Sequence, residues 1–137
     1  MMNKPLLIGI IDDDEIYQFT LTRIISRYKL ANKTLSFFDG EKAIEYLTDN
    51  ISIEENIPDV IFLDNNMPIM DGWQFIEEYA KMETKIKKKV LIFMVSSSVD
   101  PNDIERANKT NQISDYFIKP VSIDDINGVF DNLEKYI

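Results

Sequence analysis

The strongest constraint on this chain's fold is a set of four short apolar runs: "LLIGII" (6–11), "DVIFLD" (59–64), "VLIFMVS" (90–96) and "DYFIK" (115–119). Each has the length of a strand, and none alternates polar with apolar residues, the pattern of strands covered on both faces. A fifth run, "TLSFF" (34–38), is weaker and reads as a strand nearer an edge. Helical spacing fills the gaps. Tyr17, Leu21, Ile24, Ile25 and Tyr28 share one face of a helix entered through the aspartates as N-cap candidates. Ala43, Ile44 and Leu47 repeat the pattern after Asp39-Gly40, and Phe75, Ile76, Tyr79 and Ala80 after Asp71-Gly72. A fourth helix over residues 100–110 has Pro101 at its first turn but a thin apolar face, Ile104 and Ala107. The last carries Ile123, Ile126, Val129, Phe130, Leu133 and Tyr136 after Ser122, with Asp125 as a capping-box acid. Regular strand-helix alternation predicts a doubly wound α/β fold: a five-stranded parallel sheet, right-handed crossovers and five helices over both faces.

With 137 residues there is room for one domain, so a single unit spanning 1–137 without an effector domain is the expectation. A net charge of -9 argues against nucleic acid as a partner. Lys85, Lys87, Lys88 and Lys89 form a short basic cluster that reads as a solvated loop, and residues 48–58 as a longer loop with an acidic tip. Cysteine and histidine are both absent, which excludes disulfides, thiolate chemistry and Ser-His or Cys-His catalytic pairs. The opening apolar run is too short for a signal peptide or a membrane span, so no membrane is expected and a cytoplasmic location is the default.

In open parallel sheets ligands bind beyond the carboxyl ends of the strands. The residues there are Asp12 and Asp13 after the first run, Asp64 closing the third strand, Ser96 the fourth, and Lys119 the fifth. Asp12, Asp13 and Asp14 in a row raise a question of cost, since two ionised carboxylates ~4 Å apart repel by roughly 4 kcal/mol at an effective dielectric of ~20. A divalent cation among them offsets that, and hard oxygen ligands of this kind suit Mg²⁺. The plainer reading, in which the three aspartates only cap a helix and Asp14 is a first-turn acid, stays open on these residues alone. In "LDNNMPIMDGW" (63–73) a turn after Asp64 exposes its carboxylate, and the loop carbonyls offer further metal ligands.

Taken together, the acidic pair in "IIDDD", "DVIFLDNNMPIMDGWQF", "IFMVSSS" and "DYFIKP" resemble the response-regulator receiver domain of two-component signalling, in that family's order and across nearly the whole chain. The resemblance implies a flavodoxin-like fold with strand order 2-1-3-4-5. It implies that Asp64 is the phosphoacceptor and that Asp12 and Asp13 organise Mg²⁺, with the backbone carbonyl of Asn66 completing the metal shell. Ser96 takes the switch-hydroxyl position, Lys119 pairs with the phosphoryl group before a cis Lys119-Pro120 bond, and Tyr116 matches the aromatic switch. Asn66 and Ser98 flank the site and are placed to tune hydrolysis, and Trp73 is placed to report on metal binding.

The phosphoryl donor so implied is a sensor histidine kinase or histidine phosphotransfer protein, and the output an unnamed downstream protein or a phosphorelay. Phosphorylation is expected to draw Ser96 and Lys119 toward the new oxygens and turn Tyr116 inward, altering the fourth helix, fifth strand and fifth helix. The chain is not expected to be an enzyme beyond its own phosphorylation and dephosphorylation. Two rival readings are a Mg²⁺-dependent aspartyl-phosphate hydrolase of small phosphoesters and a receiver-like scaffold that is never phosphorylated. The hydrolase pattern has a second acid two residues after the nucleophile, where this chain has Asn66.

Overall fold

A computed structural model describes residues 6–133. Five strands alternate with five helices: β1 (Leu7–Ile11), α1 (Glu15–Arg27), β2 (Lys33–Phe37), α2 (Gly40–Asp49), β3 (Val60–Asp64), α3 (Gly72–Met82), β4 (Leu91–Ser96), α4 (Pro101–Lys109), β5 (Ile113–Ile118) and α5 (Ile123–Asp131). All strand pairs are parallel, in the order β2-β1-β3-β4-β5. The expected doubly wound architecture is therefore observed, with "TLSFF" at an edge.

The runs lack alternation because both sheet faces are covered. Ile8, Ile10, Val60, Phe62, Leu91, Phe93 and Val95 pack against Leu21 and Ile25 of α1 and Ile126, Val129 and Leu133 at α5. Their neighbours Ile11, Ile61, Leu63, Ile92 and Met94 turn the other way, onto Ala43 and Leu47 of α2, Phe75, Ile76 and Tyr79 of α3, and Ala107 of α4. Each of the buried Val, Leu, Ile, Phe and Met side chains among them contributes about 1.5–3 kcal/mol.

Helix starts follow the sequence signals. Asp71 and Ser122 head capping boxes closed by Gln74 and Asp125, and Pro101 opens α4 after its N-cap Asp100. Asp14 is more than a first-turn acid: its side chain accepts from the backbone N–H groups of Ile16 and Tyr17 as the α1 N-cap. The buried stripe of α1 is Gln18, Leu21 and Ile25, whereas Tyr28 caps the C-terminus and is exposed. Ile123 is also exposed, and Tyr136 lies outside the described residues.

Two loop expectations change. The 48–58 stretch begins inside α2 and contains a 3-10 turn at Glu54–Asn56, held by a hydrogen bond of 2.7 Å from the Tyr46 hydroxyl to Asn56 O. Lys88 is not solvated: its side chain is 9% exposed and sits 3.2 Å from the equally buried Asp59. It also donates to Ile57 O at 2.7 Å, while Asp59 accepts from the Leu7 N–H at 2.8 Å. An ammonium this deep needs its carboxylate partner, and Asp59 sits just ahead of β3 to supply it.

The strand order reverses between β1 and β3, which flank each other in register from Ile8–Val60 to Ile11–Leu63. Their carboxyl ends, with those of β4 and β5, thus open into one crevice.

Candidate functional site

Each of these four strands delivers its last residues to this crevice. Asp12 follows β1 and is 1% exposed; Asp64 closes β3 at 4% and Ser96 closes β4 at 0%. A register irregularity between Ile92 and Phe93 sets Tyr116 opposite Met94 and Ile118 opposite Ser96. The Lys119 N–H then donates to Ser96 O at 2.9 Å, fixing the base of the lysine over the crevice, and the Lys119-Pro120 peptide is cis.

The Lys119 ammonium lies 2.8 Å from Asp12 Oδ2 and 3.2 Å from Asp64 Oδ1. The other oxygen of Asp12 accepts from the Asp14 N–H at 2.9 Å, so the turn that caps α1 also orients Asp12. Asp13 is exposed beside them, and one carboxylate oxygen from each of Asp12, Asp13 and Asp64 falls within 4.8 Å of the others. Burial, and next the charge of Asp12, push the Asp64 carboxyl up to about 6, against the opposing pull of Lys119 and the Asn66 N–H. Burial also opposes the Lys119 charge, but the hydrogen bond to Asp12 and the two carboxylates outweigh it and leave the lysine above its usual value. Three carboxylates share one ammonium here, so two negative charges are uncompensated. An all-oxygen, doubly negative donor set fits a hard divalent cation of the Mg²⁺ kind.

The β3–α3 loop bends sharply around the site. Ile69 has φ 70° and is exposed, and the Met70 N–H donates across it to Pro68 O at 2.7 Å, a strained γ-turn for a β-branched residue. The loop then returns so closely that a Cβ on Gly72 would stand 2.9 Å from Asn65 Cα and 3.0 Å from Asp64 O. Only glycine allows α3 to start there, directly behind the Asp64 backbone. Asn66 is exposed two residues beyond Asp64.

A second set of contacts leads away from Ser96. Its hydroxyl accepts from the Ser98 N–H at 3.0 Å. The Ser98 hydroxyl donates to Asp103 Oδ2 at 2.7 Å, and Ser98 O accepts from the Tyr116 hydroxyl at 2.9 Å.

The family model described as "Response regulator receiver domain" matches residues 8–131. The chain belongs to that family. As a receiver domain it is similar to a two component response regulator from Cytophaga hutchinsonii, with TM-score 0.82 and 27% identity, covering 96% of this chain and 99% of that one. A response regulator receiver protein from Dyadobacter fermentans gives TM-score 0.79 and 29% identity, covering 95% and 96% of the two chains. Among curated proteins, the probable methanogenesis regulatory protein FilR2 of Methanothrix harundinacea is 24% identical over 132 residues, 96% of this chain and 83% of that protein. The receiver domain also matches a protein-glutamate methylesterase/protein-glutamine glutaminase of Azospirillum brasilense at 27% identity, over 90% of this chain but only 29% of that protein. That esterase activity belongs to the relative's larger chain. Receiver domains generally bind Mg²⁺ at an acidic pocket and interact with histidine kinases or phosphotransfer proteins, and the acidic cluster of Asp12, Asp13 and Asp64 is present here. No helix among the described residues is long and apolar enough to cross a membrane.

Asp12, Asp13, Asp64, Ser96 and Lys119, picked from strand ends in the sequence, thus meet in one crevice. Tyr116 is adjacent but is already tied to Ser98, so the inward turn expected on phosphorylation starts from an anchored ring. Trp73 is buried in the core beneath Arg106, whose guanidinium carbon is 4.2 Å from the ring centroid, which makes it a reporter on α4. Sequence reasoning missed Gln18, whose buried amide nitrogen is 2.9–3.2 Å from the carbonyl oxygens of Ile10, Asp12 and Phe37 and ties α1 to the ends of β1 and β2. Its spacing ahead of Leu21 and Ile25, on the same helix face, was the available signal.

Proposed function

We propose that this receiver domain accepts a phosphoryl group on Asp64 from a phosphohistidine of a separate protein, using Mg²⁺ held by Asp12, Asp13, Asp64 and the Asn66 backbone carbonyl. The observation that carries this reading is the buried Asp64 carboxylate, clustered with Asp12 and Asp13 and hydrogen-bonded to Lys119 at the carboxyl end of β3. The 137 residues contain no histidine, so the donor comes from outside them.

An Asp64 oxygen attacks phosphorus; the P–O bond forms as the P–N bond breaks, and its electron pair leaves with the imidazole, which takes a proton from water. Mg²⁺ held by these residues would supply charge neutralisation as the anionic phosphoryl group reaches Asp64. Lys119 holds Asp64 oriented beforehand and follows the negative charge as it moves to the phosphoryl group. Asp12 keeps Lys119 in place by its bond at 2.8 Å, and the Asp14 cap keeps Asp12 in place. Ser96 would turn its hydroxyl to a phosphoryl oxygen, giving up the Ser98 N–H and shifting the loop that carries Ser98, to which Tyr116 of β5 and Asp103 of α4 are bonded.

Purified protein with Mg²⁺ and acetyl phosphate should gain the mass of one phosphoryl group. The gain should vanish without Mg²⁺ and in Asp64→Asn. No adduct would return the chain to the scaffold reading, and turnover of a small phosphomonoester would support the hydrolase instead.

A further inference from the structure

We propose that Tyr17 is a further residue of the phosphoryl site: its ring seats the Lys119 ammonium, and its buried hydroxyl donates a hydrogen bond to the phosphoryl group received by Asp64. The proposal rests on Asp64 being the phosphoacceptor. Tyr17 lies on the first turn of α1, and the Lys119 Nζ stands 4.5 Å from its ring centroid, well inside the range of a cation–π contact. Lys119 has three donor hydrogens; Asp12 and Asp64 take two directions, and the face of Tyr17 closes a third side.

The tyrosine hydroxyl is the second observation. It is buried without a hydrogen-bond partner, an uncommon condition for a phenol. It is also close enough to the site for the charges of Asp12 and Asp64 to add to burial in raising its pKa. If Tyr17 served only to fill the core beside α1 and α5, a phenylalanine would pack as well and leave no polar atom stranded. A hydroxyl in this place gains a partner when an anionic group with several acceptor oxygens arrives at Asp64.

The ring has a separate task. Once Asp64 becomes an acyl phosphate, the oxygen that held Lys119 loses its charge, and the ammonium must pass to the phosphoryl oxygens. Asp12 and the Tyr17 ring are the two contacts that persist through that change, so the ring keeps Lys119 over the site while its third partner is exchanged.

Two variants separate the tasks. Tyr17→Phe keeps the ring and deletes the hydroxyl; Tyr17→Leu deletes both. Three quantities are measured: the metal-free melting temperature, the Mg²⁺-dependent rate of labelling by acetyl phosphate, and the beryllofluoride concentration for half-saturation, followed by ¹⁹F NMR. Tyr17→Phe should melt at or above the wild-type temperature, because an unpartnered polar atom is gone. It should nevertheless need about tenfold more beryllofluoride, the worth of one hydrogen bond to a charged group, and label correspondingly more slowly. Tyr17→Leu should lose more on both counts. Wild-type affinity and rate in Tyr17→Phe would overturn the role of the hydroxyl, and equal values in the two variants the role of the ring. A wild-type protein that does not label at Asp64 would instead remove the reading on which both depend.

Discussion

Asp64 is ionised at neutral pH against the pull of its surroundings. In the metal-free protein its carboxyl sits at about 6, up from an ordinary 3.8, chiefly through burial. A group raised in this way binds its proton more tightly in the folded chain than in the unfolded one. Between these two values the folded state therefore carries more protons, and stability contributed by this group falls as pH rises through that window. Urea denaturation in a chelator should show this decline from pH 4 to 7 in the wild type and a flatter profile in Asp64→Asn. Parallel profiles would mean that another group sets the pH dependence. Strain of this kind is what a phosphoacceptor and a cation relieve, and the carboxylate identities were legible because they close apolar runs. The burial that strains Asp64 was not, since it comes from Lys119 and the β3–α3 loop folding over it.

Among the helices, α4 is held least by apolar contact: Ala107 is its one buried residue. Its position depends on polar ties, the Ser98 hydroxyl to Asp103 and Asp100, and on Arg106 over Trp73. The thin face of residues 100–110 was visible in the sequence; the ties were not, because they join a loop serine to a helix acid without any periodic pattern. Ser98→Ala removes both bonds of that hydroxyl and should cost about 2 kcal/mol, the net worth of two hydrogen bonds. It should also raise amide exchange across 101–109 ahead of the sheet and shift Trp73 emission. If exchange there stays at the wild-type level, α4 is held by its apolar contact with the sheet and Ser98 is not the tie. The same distinction between patterned and unpatterned contacts explains Lys88 and Gln18. Both are polar residues whose partners lie outside their own element, Asp59 and Ile57 ahead of β3 for Lys88 and the ends of β1 and β2 for Gln18, so composition alone placed Lys88 in solvent.

At the level of the whole molecule, the sheet was readable because strands covered on both faces leave runs without alternation, and the strand-helix order then left parallel pairing as the consistent solution. The spatial order of the strands was not in the runs themselves; it came with the family resemblance, and the β1–β3 reversal is what gathers the acids. That gathering concentrates negative charge on a chain already at -9. A cation can therefore stabilise the protein in two ways, by screening the whole surface or by entering one site, and these differ in how they respond to salt and to mutation. Screening depends on ionic strength and is reproduced by NaCl. Site binding follows the free Mg²⁺ concentration and reaches about 2.7 kcal/mol at a hundred times the dissociation constant. Melting temperature should thus rise with millimolar Mg²⁺ at fixed ionic strength, and the rise should be lost in Asp13→Asn, whose exposed carboxylate contributes little to packing. A rise matched by NaCl of equal ionic strength, or one retained in Asp13→Asn, would assign the stabilisation to the surface as a whole and leave Asp14 as a cap on α1 and Asp12 and Asp64 as partners of Lys119.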